Sequence, residues 1–168
     1  SDTGVVELDV RILPGGDRVE LQVRDYGCGM NETDLEKKLL HWPGTDKVDD
    51  MLFAGAQGIG FATLWSITPD RIIVDTGQWD QAWRTVIHPD TLAWERFPLN
   101  DPVDGTCVAV TAPLAQLIPR PAPEPADARA QVVRWIRDRV REHCPAVQVP
   151  ILLDGVDIRA TFSLGEAE

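Results

Sequence analysis

Apolar and polar side chains alternate near the start of the chain: Val6, Leu8, Val10 and Ile12 are separated by Glu7, Asp9 and Arg11. A period of two puts the apolar set on one face of a strand and the charged set on the other. Pro14-Gly15-Gly16-Asp17 has turn chemistry, and Val19, Leu21 and Val23 then repeat the alternation. Residues 5–24 are therefore predicted to form an antiparallel hairpin. The pattern changes at Asn31-Glu32-Thr33-Asp34, which offers an N-cap and first-turn acids for a helix to about residue 40. Residues 41–54 have no clear period and are read as a mobile segment over a site, against the plainer reading of a surface loop. Ile59, Phe61, Ala62, Leu64 and Trp65 fit one side of a helix from Gly58 to Thr68, stopped by Pro69-Asp70.

Strands are predicted over 71–76, 81–88 and 92–97. Another follows the Asp104-Gly105 turn, over 106–111, and its nearly all-apolar middle predicts a central place in the sheet. Ile118 to Pro125 is proline-rich and predicts an extended connector rather than a helix. Val132, Val133, Ile136 and Val140, with Trp135 as a further candidate, form the inner stripe of a helix over 127–143. Strands over 147–153 and 156–162 flank Asp154-Gly155 and predict a closing hairpin. With no internal repeat and no second core, 1–168 is expected to be one domain. It divides into a core (1–117), a connector (118–126) and a C-terminal helix with hairpin (127–168).

Composition narrows the function classes. The 168 residues are 43% apolar and 26% charged, an ordinary globular composition. No apolar run reaches the roughly 18–20 residues of a membrane span, and no signal or transit pattern is recognisable. A net charge of −11 argues against a large nucleic-acid interface. An anionic ligand would then need oriented N–H groups, a metal or a few local cations. Cys28, Cys107 and Cys144 lie far apart and form no CxxC pair, which predicts free thiols in a reducing cytoplasm. His41, His88 and His143 are scattered and suggest neither a metal site nor histidine catalysis.

The candidate chemistry lies in two glycine clusters. The first is Arg24-Asp25-Tyr26-Gly27-Cys28-Gly29-Met30, where a strand runs into a carboxylate and then two glycines. Asp25 can accept a hydrogen bond from an exocyclic amine, and Gly27 and Gly29 let backbone approach a planar ring. The second is Gly55-Ala56-Gln57-Gly58-Ile59-Gly60, opening the predicted helix. A helix N-terminus offers free N–H groups and a positive dipole end to phosphates. Together they suit a ligand with a base at one end and phosphates at the other. The second cluster is not a Rossmann fingerprint, since no βαβ unit surrounds it. Nor is it a Walker A loop, since Phe61-Ala62 stand where Lys and Ser/Thr are required. Lys47, close to Gly44-Thr45, is a candidate lid cation for the phosphates, against the plainer reading of a solvated lysine. Trp79, Trp83 and Trp94 gather in the strand region, as edge packing or as an aromatic docking patch.

In this order and separation the two clusters resemble the GHKL ATPase superfamily: gyrase-type topoisomerases, ninety-kilodalton heat-shock chaperones, histidine kinases and MutL-type repair proteins. Asp25-x-Gly27-x-Gly29-Met30 resembles its first glycine box, and Gly55-x-x-Gly58-x-Gly60-Phe61 its second. Gly105-Thr106 resembles the Gly-Thr before the late central strand, whose Thr helps hold the adenine-side water and Asp. The run 141–151 is similar to the last helix and following strand of the chaperones, so the chaperone and MORC-like branches are nearest. The resemblance implies an α+β Bergerat fold: a two-layer sandwich with a mixed, mainly antiparallel sheet covered on one face by helices. It implies nucleotide contacts at Asp25, Gly27, Gly29, Met30, Gly55, Gln57, Gly58, Ile59, Gly60, Phe61 and Thr106, to which Thr45 and Lys47 are added as lid candidates. It further implies ATP or ADP as ligand with Mg²⁺, hydrolysis that gates lid closure, and a homodimer or a protein client as partner. One departure stands out. Asp2-Thr3-Gly4 resembles the tail of the family's first motif, so its general-base Glu and magnesium-binding Asn are expected upstream of Ser1. No catalytic residue is assigned within the chain, and a non-catalytic nucleotide-sensing or protein-interaction module is the alternative.

Overall fold

The computed structural model describes residues 4–39, 66–144 and 147–159. Eight strands occur among them: β1 (Val6–Ile12), β2 (Arg18–Asp25), β3 (Arg71–Gln78), β4 (Gln81–His88), β5 (Ala93–Pro98), β6 (Thr106–Pro113), β7 (Ile151–Leu153) and β8 (Val156–Asp157). The described helices are α1 (Glu32–Asp34), continued by a π-helical turn (Leu35–Leu39), α2 (Leu114–Leu117) and α3 (Pro125–His143). The strands form one sheet in the order β5-β4-β3-β6-β2-β1-β7-β8. Neighbours are antiparallel except β1 and β7, which run parallel. The fold is the expected α+β architecture, with a mixed, mainly antiparallel sheet.

Register explains why one face of the sheet is the core. Val19, Leu21 and Val23 of β2 lie opposite Ala112, Val110 and Val108 of β6. Ile72 and Val74 of β3 lie opposite the same Val110 and Val108. Opposed residues share a face, so the apolar sets of all the central strands line up. The other face carries the charged sets, for example Arg84 bidentate to Asp75 at 2.8 Å for both bonds. Two buried clusters cover the apolar face. Val132 and Ile136 of α3 and Leu114 and Leu117 of α2 pack on Val10, Val19, Ala112, Ile151 and Leu153. Leu35 of the π turn packs on Ile72, Val74, Ile87 and Val110.

The differences from expectation have local causes. α3 begins at Pro125, inside the predicted connector, because a proline in the first turn gives up an N–H that has no helical partner. The helix predicted over 31–40 starts as expected, with Asn31 Oδ1 accepting from Asp34 N at 2.8 Å, but widens to a π turn after one turn. β7 is shorter than predicted, and β8 ends at Asp157, after which Ile158 N donates to Ile151 O at 2.9 Å. The segment 41–54 and most of the helix predicted over 58–68 lie outside the described residues. Arg129 fastens α3 to the sheet: Nε donates to Val10 O at 2.8 Å, and the terminal nitrogens hold Asp154 at 2.7 and 2.9 Å. That pairing draws the Asp154 carboxyl below its ordinary range.

Candidate functional site

Three side chains stand in a row across adjacent strands at one end of the sheet. Asp25 ends β2 directly opposite Thr106, which starts β6. Thr106 in turn lies opposite Thr76 of β3. All three face the helix side. Asp25 and Thr106 are half-buried, whereas Thr76 is fully buried.

Local backbone chemistry holds the loop after β2 against this row. Oδ1 of Asp25 accepts from Gly27 N at 2.9 Å, an Asx turn that starts the reversal. Gly29 has φ +67°, and a Cβ there would sit 1.8 Å from Gly77 O. The loop therefore lies flush on β3, and only glycine fits. Gly105 is held almost as closely from the other side, since its Cβ would be 2.2 Å from Asp25 O. Met30 N donates to Thr76 Oγ1 at 2.9 Å, and the Met30 side chain packs on the Leu35 cluster. Asn31 Nδ2 donates to Gln78 Oε1 at 3.0 Å, so the helix start is also tied to β3.

Thr76 is the hub. Besides Met30 N, its hydroxyl lies 2.9 Å from Thr106 Oγ1 and 3.2 Å from Gly105 O. Among the described residues, Oδ2 of Asp25 has no partner. The row therefore ends in a carboxylate oxygen and a hydroxyl side by side. A planar group carrying N–H donors suits that arrangement.

Of the residues expected from sequence, the structure brings together Asp25, Gly27, Gly29, Met30 and Thr106. Thr45, Lys47, Gly55, Gln57, Gly58, Ile59, Gly60 and Phe61 lie outside the described residues. Gly105, read in the sequence together with Thr106, joins the first group, and Thr76 and Gly77 are additions in the site's framework. Thr76 could have been found only from the pairing of β3 with β6, which the linear pattern does not give. The tryptophans divide. Trp79 is 86% exposed at the β3–β4 turn, while Trp83 and Trp94 flank Arg96, at 5.3 and 5.7 Å from its guanidinium.

The other face of the sheet carries a shallow hollow of about 260 Å³, whose lining includes Glu7, Asp9, Gln22 and Arg24. Next to it Tyr26 Oη donates to Glu7 Oε2 at 2.7 Å, and that bond, with some desolvation, raises the phenol's pKa. Asp25 faces the opposite way, so the hollow is separate from the site. Among the described residues no group of three or more His, Cys, Asp or Glu could hold a metal ion, so no Mg²⁺ ligand is assigned. The three cysteines are free thiols, and no described helix is long and apolar enough to cross a membrane. No protein-family model matches the chain, and no curated protein matches it significantly.

Proposed function

We propose that the chain is the ATP-binding domain of a chaperone-like GHKL ATPase working in the cytoplasm. In this reading Asp25 and Thr106 receive the adenine edge, and the loop Gly27-Cys28-Gly29 passes along the ring. The second glycine cluster, with Thr45 and Lys47, takes the phosphates together with Mg²⁺. ATP binding and hydrolysis gate closure of the segment 41–54 and contacts with a second copy or a protein client. The hydrolytic step is assigned to no residue of this chain. One observation carries the reading: Asp25 and Thr106 are direct cross-strand partners, at the end of the strand from which the glycine loop departs. Free thiols agree with the reducing compartment.

Calorimetric titration with ADP tests it. Asp25→Asn is expected to weaken binding about tenfold or more, because a charged acceptor is exchanged for a poorer one. Equal affinity in the variant removes Asp25 from the pocket. A wild-type protein that binds no adenine nucleotide overturns the reading as a whole.

A further inference from the structure

We infer that Thr76 is a specificity-determining residue: it turns the Thr106 hydroxyl proton inward, so that the Asp25–Thr106 pair accepts an amino group and rejects a carbonyl. The inference rests on the nucleotide reading above and adds to it the reason for choosing adenine.

Hydrogen-bond capacity carries the argument. A threonine hydroxyl has one proton to give and two lone pairs to fill. Thr76 Oγ1 has three neighbours at bonding distance: Met30 N at 2.9 Å, Thr106 Oγ1 at 2.9 Å and Gly105 O at 3.2 Å. Met30 N can only donate, and Gly105 O can only accept. All three contacts are satisfied in one way. Thr76 accepts from Met30 N, gives its proton to Gly105 O, and accepts the proton of Thr106. The reverse arrangement, with Thr76 donating to Thr106, leaves Gly105 O with the Gly77 N–H alone, at 3.3 Å, and costs the shorter of its two hydrogen bonds. Thr76 is fully buried, so no solvent relieves such a loss.

Thr106 is thereby left with lone pairs on its ligand side. Its cross-strand partner Asp25 has Oδ1 occupied by Gly27 N, and Oδ2 is a second acceptor. Two acceptors side by side match a group with two N–H donors, such as a 6-aminopurine. A 6-oxopurine puts a carbonyl oxygen against both, and neither acceptor can turn a proton toward it. Discrimination of this kind, between a satisfied and an unpaired polar site, is large.

ADP and IDP differ at this purine position in the required way, amino against oxo. Calorimetry on the full chain should find ADP bound at least about tenfold more tightly than IDP by the wild type. Thr76→Val frees the Thr106 proton to turn outward, and the preference should narrow by about threefold or more, Asp25 keeping the remainder. Thr76→Ser, which keeps the hydroxyl, should restore it. A purely structural role for Thr76 would lower both affinities together and leave their ratio alone. An unchanged ratio in folded Thr76→Val therefore overturns the inference. Should Thr76→Val fail to fold, Thr106→Val reads the same proton from the other side. Losing an acceptor weakens ADP and spares IDP, whereas a larger loss for IDP would reveal an outward donor and overturn the proposal. A wild type that binds ADP and IDP equally sinks this inference alone. A wild type that binds neither sinks the nucleotide reading with it.

Discussion

Gly29 and Gly16 both have positive φ, at +67° and +77°, but they carry different loads. A Cβ at Gly16 meets nothing within 4 Å, whereas one at Gly29 would sit 1.8 Å from Gly77 O. Gly16→Ala is expected to cost about 1 kcal/mol, the strain of a left-handed alanine. Gly29→Ala adds a backbone collision and should cost more than about 2 kcal/mol. Urea denaturation of the two variants checks the difference, and equal costs would mean that the loop can lift off β3. A second residue-scale test concerns Asp157, whose pKa is drawn down to about 2 by the Arg159 side chain and then by its N–H. A depressed carboxyl contributes stability above its unfolded pKa and loses it as pH falls through the folded value. The hairpin end should therefore loosen between about pH 4 and pH 2. An NMR titration of the carboxyl should find the low midpoint in the wild type and a higher one in Arg159→Leu, which loses the guanidinium but keeps the backbone N–H bond to Asp157. At this scale the sequence was informative where chemistry is local. The cap at Asn31 involves a neighbour three positions away, whereas at Asp25 the sequence suggests a ligand acceptor and not the equally local Asx turn. Thr76 was invisible, because its three partners come from two other segments of the chain.

Arg96 sets the argument at the scale of elements. It lies on β5 yet pairs with Glu32 of α1 and with Glu36 of the π turn, the latter at 3.0 Å. Trp83 and Trp94 lie against the same guanidinium, and the Arg96 side chain is only 15% exposed. Arg96 thus pins the start of the helical segment to the edge of the sheet. Arg96→Leu is expected to destabilise by about 1–2 kcal/mol, since the carboxylates are half in solvent. Denaturation in low and high salt should recover part of that difference, because salt screens the ion pairs and spares the ring contacts. A salt-independent loss would assign the effect to packing on the tryptophans. Of the three tryptophans grouped in the sequence, Trp83 and Trp94 come together and Trp79 does not, and the Arg96 between them was not foreseen. Arg96 reads as an ordinary solvent-side charge in an edge strand until β5 is placed next to α1. The π turn escaped for a related reason. Leu35 to Leu39 has a helical composition, and its widened register is a tertiary outcome.

Strand positions were legible across the whole molecule because one face of the sheet is apolar. The alternation in β1 and β2 survives unchanged as the register from Val6↔Asp25 to Ile12↔Val19. The apolar middle of β6 likewise announced a central strand, and β6 is flanked by β2 and β3. Strand order was not legible, because alternation says which way a residue faces and nothing about its neighbour. The row of Asp25, Thr106 and Thr76 exists only because β6 inserts between β2 and β3. The candidate site was thus readable as a list of residue types and unreadable as a hydrogen-bond circuit.

The parallel pairing of β1 with β7 has a kinetic consequence. Val6 and Leu8 sit beside Ile151 and Leu153, so the first strand waits for nearly the last one. The β1–β2 hairpin closes a short turn, but docking β7 must close almost the entire chain, at a far larger entropic cost. β7 should therefore join after the rate-limiting step. Ile151→Val, at a site 7% exposed, is expected to lose about 0.5–1.5 kcal/mol, and the loss should appear as faster unfolding with the folding limb unmoved. Stopped-flow measurements of both limbs decide it. A folding rate that falls in proportion would place β7 in the nucleus. On a ribosome the same order means that β1 and β2 emerge early and keep one apolar edge unpaired until synthesis of the domain is almost done.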